Sequence, residues 1–385
     1  MKDVEKKPIV LFIIDSLEIG GAEKSLLEIT QRFKKYKPVF LTLYKGNSLL
    51  KEFEKKNIEV ITLNQKKSIK KSDLLNQIQV HINRIEPCIV HATLLTSCLI
   101  SRKLKKRGNS FKLINSLVNN TYSLQRYKTL RPLRALKLFK TQIKDFISAH
   151  LVDSFFSNSL TIKNTTSRAI FLKKDRIKVI YRGRNPKSFY YKKNDKLKKE
   201  LFPDAERIFL NVGRLIPQKG QSDLIKAFAI YIKSTKNLDS LAIAGSGPNM
   251  KNLKDLAKHL GISNHIQFLG RRDDISDLLN IADYFVFPSY YEGLPGSLIE
   301  AIFSKTPIIA SNIPENLECV NEDTALIYKK GDIDDLCQKI NYARDNKFLL
   351  TEKLEHGYKY ALENFQIQEI CNIYEREYGN ILGYR

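Results

Sequence analysis

The sequence predicts an α/β protein built from two doubly wound, parallel-sheet domains in tandem. Three observations point there. The chain has 385 residues, more than one hydrophobic core usually serves. Short apolar runs of strand length alternate with stretches of helical spacing, and this series occurs twice. A polar stretch, "NPKSFYYKKNDKLKKELFPDAE" at 185–206, separates the two series. Hydrophobic content of 43% suits a globular chain.

In the first series "KPIVLFIID", "KPVFLTLYK", "IEVITLN" and "PCIVHAT" read as strands, with "AEKSLLEITQRFKKY" and "DLLNQIQVHINRI" as helices between them. "FKLINSLV", "VDSFFSNS" and "DRIKVIYRG" continue the strands. The second series runs from "RIFLNVGRL" through "LDSLAIAG", "HIQFLG", "YFVFPS" and "PIIAS" to "TALIYK". From Asp332 onward the chain reads as helical. Buried parallel strands of this kind carry their ligands at the carboxyl ends, and a cleft between two such domains is the expected binding place.

Composition narrows the function classes. No run approaches the roughly 18 apolar residues needed to span a bilayer, and "MKDVEKKP" lacks the apolar region of a signal peptide. Cys88, Cys98, Cys319, Cys337 and Cys371 are scattered without CxxC spacing, the pattern of reduced core thiols rather than a zinc site. The expectation is a cytoplasmic protein. Net charge is +24 and lies almost wholly in one half. Residues 1–183 hold 37 basic and 14 acidic side chains; residues 184–385 hold 28 and 27. An anionic partner is therefore expected for the first half alone. The segment "QRYKTLRPLRALKLFKTQIK", 125–144, has seven Lys/Arg and no acid, interleaved with Leu, Phe, Ile and Tyr. Apart from Pro132, it suits an amphipathic helix lying on an anionic membrane, and equally a solvated basic helix.

The candidate chemistry gathers at strand ends. "SYYEGLPGSLIEA" follows the strand "YFVFPS" and places Glu292 and Glu300 around a Gly/Pro turn that opens a helix. Ionised carboxylates repel phosphate but accept from vicinal hydroxyls. "NVGRLIPQKG" follows another strand and puts Arg214 and Lys219 beside the permissive Gly213, a pair suited to clamping a diphosphate. Diols at both ends with phosphates between describe a nucleotide-sugar. The same residues also fit a capping Glu292, a surface Glu300 and two solvated cations. "IAGSGP" and "IGGAEKSLLEI" add two further glycine turns at strand–helix junctions, at Gly245 and Gly247 and at Gly20 and Gly21.

Together these elements resemble the retaining glycosyltransferases of family 4 (glycosyl transferases group 1), which have the GT-B fold. The matching pieces are "GGAEKSL", "NVGRLIPQKG", "IAGSGP" and "FLGRRDDISDLLNIADYFVFPSYYEGLPGSLIEAIFSKTPIIAS". The resemblance implies an acceptor-binding domain over 1–183 plus about 366–385, completed by a C-terminal helix that crosses back. It implies a nucleotide-sugar donor-binding domain over 184–365. Glu292 would contact the donor sugar near the reacting centre, and Glu300 the ribose hydroxyls. Gly293, Leu294 and Pro295 would present backbone groups, while Arg214 and Lys219 would hold the diphosphate with Gly213 beside them. Gly20 and Gly21 would face donor phosphates and acceptor, Gly245 and Gly247 would line the donor, and Arg271 and Arg272 would lie near the base.

The reaction so implied is a retaining transfer from a UDP-sugar (or a GDP-sugar) to a hydroxyl of a glycan or lipid-linked acceptor in bacterial polysaccharide or cell-envelope glycan assembly. It needs no metal and no other cofactor, and it would run on the inner face of the cell membrane. The "DID" at 332–334 reads as a helix cap rather than a metal triplet. Where family members often carry a histidine after the fifth strand, this chain has "NSLVNNTYSL". Asn119 and, after a different strand, His91 are the candidates for the acceptor-side role. A sugar-nucleotide 2-epimerase of the same fold, or a basic nucleic-acid- or membrane-binding protein without catalysis, are the alternatives. Nucleic acid is not expected, since no recognition motif for it is present.

Overall fold

The structure is a computed structural model that describes residues 7–189, 194–346 and 350–384. The chain divides into two compact units, Met1–Gly183 with Ile367–Arg385, and Arg184–Gln366.

The first unit alternates as the hydrophobic runs dictate. β1 (Ile9–Ile14), α1 (Gly21–Thr30), β2 (Lys37–Tyr44), α2 (Leu50–Lys55) and β3 (Glu59–Gln65) come first. α3 (Lys71–Ile85), β4 (Ile89–Thr93), α4 (Leu95–Lys105) and β5 (Lys112–Leu117) follow. α5 (Leu124–Thr129), α6 (Pro132–Ser148), β6 (Ser154–Ser157), α7 (Leu160–Ala169) and β7 (Ile177–Val179) complete the run. The seven strands are all parallel and lie in the order β3-β2-β1-β4-β5-β6-β7. Successive residues of a strand point to opposite faces. Leu11 and Ile13 therefore join one core with Val39, Leu41 and Leu113, while Val10, Phe12 and Ile14 join another with Phe40, Ile114 and Phe156.

The second unit holds α8 (Asp195–Leu201), β8 (Ile208–Val212), α9 (Gln221–Thr235), β9 (Ser240–Ala244), α10 (Met250–His259) and β10 (Ile266–Gly270). Then come α11 (Ile275–Ile281), β11 (Tyr284–Phe287), α12 (Gly296–Phe303), β12 (Ile308–Ser311), α13 (Pro314–Leu317), β13 (Leu326–Tyr328), α14 (Ile333–Asp345) and α15 (Leu350–Phe365). Its six parallel strands run β10-β9-β8-β11-β12-β13. The strand order reverses between β8 and β11, so the loops leaving these two neighbours open the crevice where doubly wound sheets bind ligands.

The last helix, α16 (Ile367–Leu382), belongs to the first unit. Ile367, Ile370, Cys371, Tyr374 and Tyr378 enter the core that holds Phe12 and Phe156. A fully buried imidazole fixes it: His91 of β4 meets the Tyr378 hydroxyl at 2.7 Å through Nδ1 and the Ser116 hydroxyl at 2.7 Å through Nε2. This corrects the acceptor-side role considered for His91, because no atom of it reaches the surface. Burial pushes its pKa down to about 3. An unfolded histidine titrates near 6.5, so the unfolded chain binds the extra proton between those values. His91 thus contributes stability that is whole above about pH 6.5 and is lost as pH falls toward 3. Urea midpoints of wild type and His91→Gln, measured from pH 7 to 4, are expected to converge, with wild type losing up to about 1.4 kcal/mol more per pH unit. Parallel pH profiles would refute this.

Proline sets two local boundaries. The basic segment 125–144 is not one helix. Leu130 is extended (φ −90°, ψ 142°) and α6 starts afresh at Pro132, since proline tolerates only the first helical turn and holds its predecessor out of α geometry. Pro295 likewise caps α12 from outside, and the helix opens at Gly296. Asp332 caps α14, its carboxylate accepting from the Asp335 N–H at 3.1 Å. All five cysteines are free thiols. Among the described residues no helix is long and apolar enough to cross a membrane.

Candidate functional site

The loops that leave β8 and β11 are laced together. Asn211 of β8 donates its side-chain amide to the Val286 carbonyl at 2.8 Å. Beyond the strands the Tyr290 N–H donates to the Gln218 carbonyl at 2.9 Å, and the Gln218 amide returns to the Tyr291 carbonyl at 2.7 Å. Gly220 sits at φ +69°, and a Cβ there would lie 2.0 Å from the Pro288 carbonyl oxygen. Only glycine lets the two loops approach so closely.

This lacing delivers Lys219 to Glu292. The ammonium donates to Glu292 Oε1 at 2.5 Å, and the Ser289 hydroxyl donates to the same oxygen at 2.6 Å. The pair is 16% and 8% exposed, and the Lys219 ammonium also lies 5.4 Å from the Phe287 ring centre. A lysine has three N–H donors and Glu292 takes one; the carboxylate's other oxygen has two lone pairs. Arg214 stands exposed at the same β8 loop, its guanidinium without a side-chain partner among the described residues. Its carbonyl accepts from Gln221 at 3.1 Å, which ties the base of this loop to the start of α9. The neighbouring loop after β9 packs backbone to backbone on it. Cβ atoms on Gly245 and Gly247 would fall 1.8 Å from the Gly213 oxygen and 2.4 Å from the Leu215 oxygen. These glycines therefore have a packing reason.

Glu300 lies on the fifth residue of α12 and pairs elsewhere: Arg184 Nε donates to its Oε1 at 2.7 Å, with both side chains mostly buried. Among the described residues Glu292 and Glu300 share no partner, so the two carboxylates of the Glu-x7-Glu spacing are held separately. Gly293 and Pro295 lie in the same turn as Glu292, and Leu294 is buried core. Arg271 and Arg272, past β10, each turn to a local acid: Asp273 at 3.6 Å and Asp274 at 2.5 Å.

A family model described as "Glycosyl transferases group 1" matches residues 192–363, nearly all of this unit. The second unit is a group 1 glycosyltransferase domain. The chain is accordingly a glycosyltransferase. CapH of Staphylococcus aureus, a capsular polysaccharide biosynthesis glycosyltransferase, is 28% identical over 318 residues, which cover 80% of this chain and 82% of CapH. An Escherichia coli UDP-Gal:alpha-D-GlcNAc-diphosphoundecaprenol alpha-1,3-galactosyltransferase is 34% identical over 146 residues, 37% of this chain and 38% of that one. Among solved structures, Anabaena HepE in complex with UDP and glucose superposes with a TM-score of 0.85 at 18% identity, covering 97% of this chain and 100% of HepE. The shared fold is GT-B.

In the glycosyltransferase the remaining sequence candidates belong to the first unit. Gly20 caps α1 and Gly21 begins it. A Cβ on Gly20 would collide with the Glu23 carboxylate at 2.2 Å. Asn119, exposed after β5, lines a cavity of about 120 Å³ with Leu94, Cys98, Thr121, Arg126 and Thr166. Sequence reasoning missed two residues. Ser289 was hidden inside the strand motif "YFVFPS", although a hydroxyl three positions before Glu292 was a legible signal. Arg184 stands at the edge of a lysine-rich polar stretch, and nothing local distinguished it.

Proposed function

We propose that the glycosyltransferase moves a sugar from UDP-sugar to a hydroxyl of a lipid-linked glycan, with retention of anomeric configuration, in assembly of a bacterial surface polysaccharide. The observation that carries the reading is the Lys219–Glu292–Ser289 cluster at the carboxyl ends of β8 and β11. Lys219, with two donors to spare, and Arg214 meet the diphosphate and stabilise the charge that grows on it. Glu292 addresses sugar hydroxyls and Glu300 the ribose diol. The acceptor oxygen attacks the anomeric carbon on the face that UDP leaves. The carbon–phosphate-oxygen bond breaks, the new glycosidic bond forms, and the acceptor proton passes to the departing phosphate oxygen. Two cations, Lys219 held by Glu292 and Arg214 on the same loop, supply the charge stabilisation that a divalent metal would otherwise give, so the transfer is proposed to be metal-independent. Support for UDP comes from HepE, solved with UDP and glucose. Support for a lipid-linked acceptor comes from the Escherichia coli relative, whose name specifies a diphosphoundecaprenol substrate. The first unit, with its excess of cations, is proposed to bind the acceptor and to hold the enzyme peripherally on the anionic cytoplasmic leaflet.

The test is thermal unfolding with UDP, GDP, ADP and CMP, on wild type and on Arg214→Ala/Lys219→Ala. UDP at about 100 times its dissociation constant is expected to add roughly 2.7 kcal/mol to wild type and nothing to the double variant. A rise with GDP alone would move the donor class. A rise that survives in the double variant would remove the clamp.

A further inference from the structure

α6 is mounted with its apolar side outward. At 100° per residue, Leu133, Leu136, Phe139, Ile143, Phe146 and Ile147 share an arc of about 140°. All six are exposed, Leu133 at 83% and Ile147 at 62%. Phe171, itself 83% exposed, meets the Phe146 ring at 5.7 Å and extends the patch beyond the helix. On the helix only Leu138 and Asp145 are buried. A surface helix ordinarily does the reverse and turns its apolar stripe to the core.

The cause is a polar anchor. Asp145 is almost fully buried and takes Arg102 Nη1 at 2.5 Å and the Tyr122 hydroxyl at 2.7 Å. Arg102, 2% exposed, also donates to the Asp145 carbonyl and the Ser148 hydroxyl at 3.0 Å and to Asn115 Oδ1 at 2.8 Å. A charge pair so deeply buried and so fully hydrogen-bonded holds one rotational setting of the helix, and that setting leaves the arc facing solvent.

Charge selects the occupant. Lys137 and Lys144 line one flank of the arc, Lys140 stands just inside that edge, Arg131 and Arg134 stand at the start of the helix, and α5 and α6 expose no acid. A second copy would bring the same cations against these. An anionic bilayer accepts both features: apolar side chains below the headgroups and lysines among them.

We propose that α6 with Phe171 is a bilayer-inserting surface that embeds its apolar arc in an anionic leaflet. The proposal deepens the peripheral contact suggested above and rests on that reading, but not on the donor chemistry. Flotation with vesicles of phosphatidylcholine alone, and with about one-third phosphatidylglycerol, at about 0.1 M and about 1 M salt, tests it. Wild type is expected to float with the anionic vesicles and to keep a salt-resistant fraction. Leu136→Ser/Phe139→Ser/Ile143→Ser is expected to lose at least ~10-fold in partitioning. Phe171→Ser should lose less, and Lys137→Glu/Lys140→Glu/Lys144→Glu should lose the preference for anionic lipid. Wild-type hydrogen-exchange protection at β4 and β5 shows that the first unit stays folded in all three, and an unchanged UDP-induced rise in unfolding temperature shows the same of the donor site, so a loss of partitioning is a loss of lipid contact. Three results would overturn the proposal: wild-type partitioning in the serine variant, binding wholly abolished by salt, or a vesicle-free dimer that the serine substitutions dissolve.

Discussion

Lys219→Ala is expected to cut sugar transfer by about 10²–10³-fold, the loss typical when one pre-placed charge on a developing anion is removed. It should also lower stability, because Glu292, 8% exposed, keeps only the Ser289 hydroxyl on its Oε1. Breaking a fully buried pair costs about 3–5 kcal/mol. Lys219 retains 16% exposure, so water reaches the site and about 1–3 kcal/mol is the better expectation. UDP release from UDP-sugar and urea unfolding, run side by side, separate the two effects. Glu292→Gln keeps the shape and the Ser289 contact and should lose activity with a smaller change in midpoint. Wild-type turnover in either variant would show that the cluster is structural.

The second large effect lies far from that chemistry in sequence. Asp145→Ala should destabilise the first unit by about 3–5 kcal/mol, since the Arg102 guanidinium is left charged and enclosed with its main partner gone. The two units need not unfold together, so a single melting temperature is a poor reporter. Hydrogen exchange at β4, β5 and α6 reads the first unit directly. Protection there should fall while β8 and β11 keep theirs. Arg102→Met/Asp145→Leu should recover much of the loss, because an apolar pair of similar volume removes both desolvation costs. Equal protection in Asp145→Ala and wild type would mean that Ser148, Asn115 and the helix backbone suffice as partners for Arg102.

Much of the molecule was legible in the chain. The runs "IVLFII" and "YFVFPS" are apolar throughout, so they had to be strands buried on both faces, and a run of such strands separated by helical spacing closes into parallel sheets. The glycine turns at Gly245 and Gly247 were legible at a strand–helix junction, and a Cβ on either would meet the backbone of the neighbouring loop. Glu292, Lys219 and the helix cap at Asp332 were read from their residue types and their places at strand and helix ends.

What the tertiary structure alone decided is partnership and orientation. Lys219 meets Glu292 across 73 positions, Arg184 meets Glu300 across 116, and His91 meets Tyr378 across 287. Periodicity repeats over a few residues and carries no information at such separations; only the packing of strands, helices and loops in the folded units brings these pairs to one place. The outward face of α6 was equally hidden. Its sequence predicts an amphipathic helix whichever way it is turned. The turn is set by Arg102 on another helix, because burying one carboxylate beside one guanidinium fixes a rotation that a smooth apolar stripe would leave to the core.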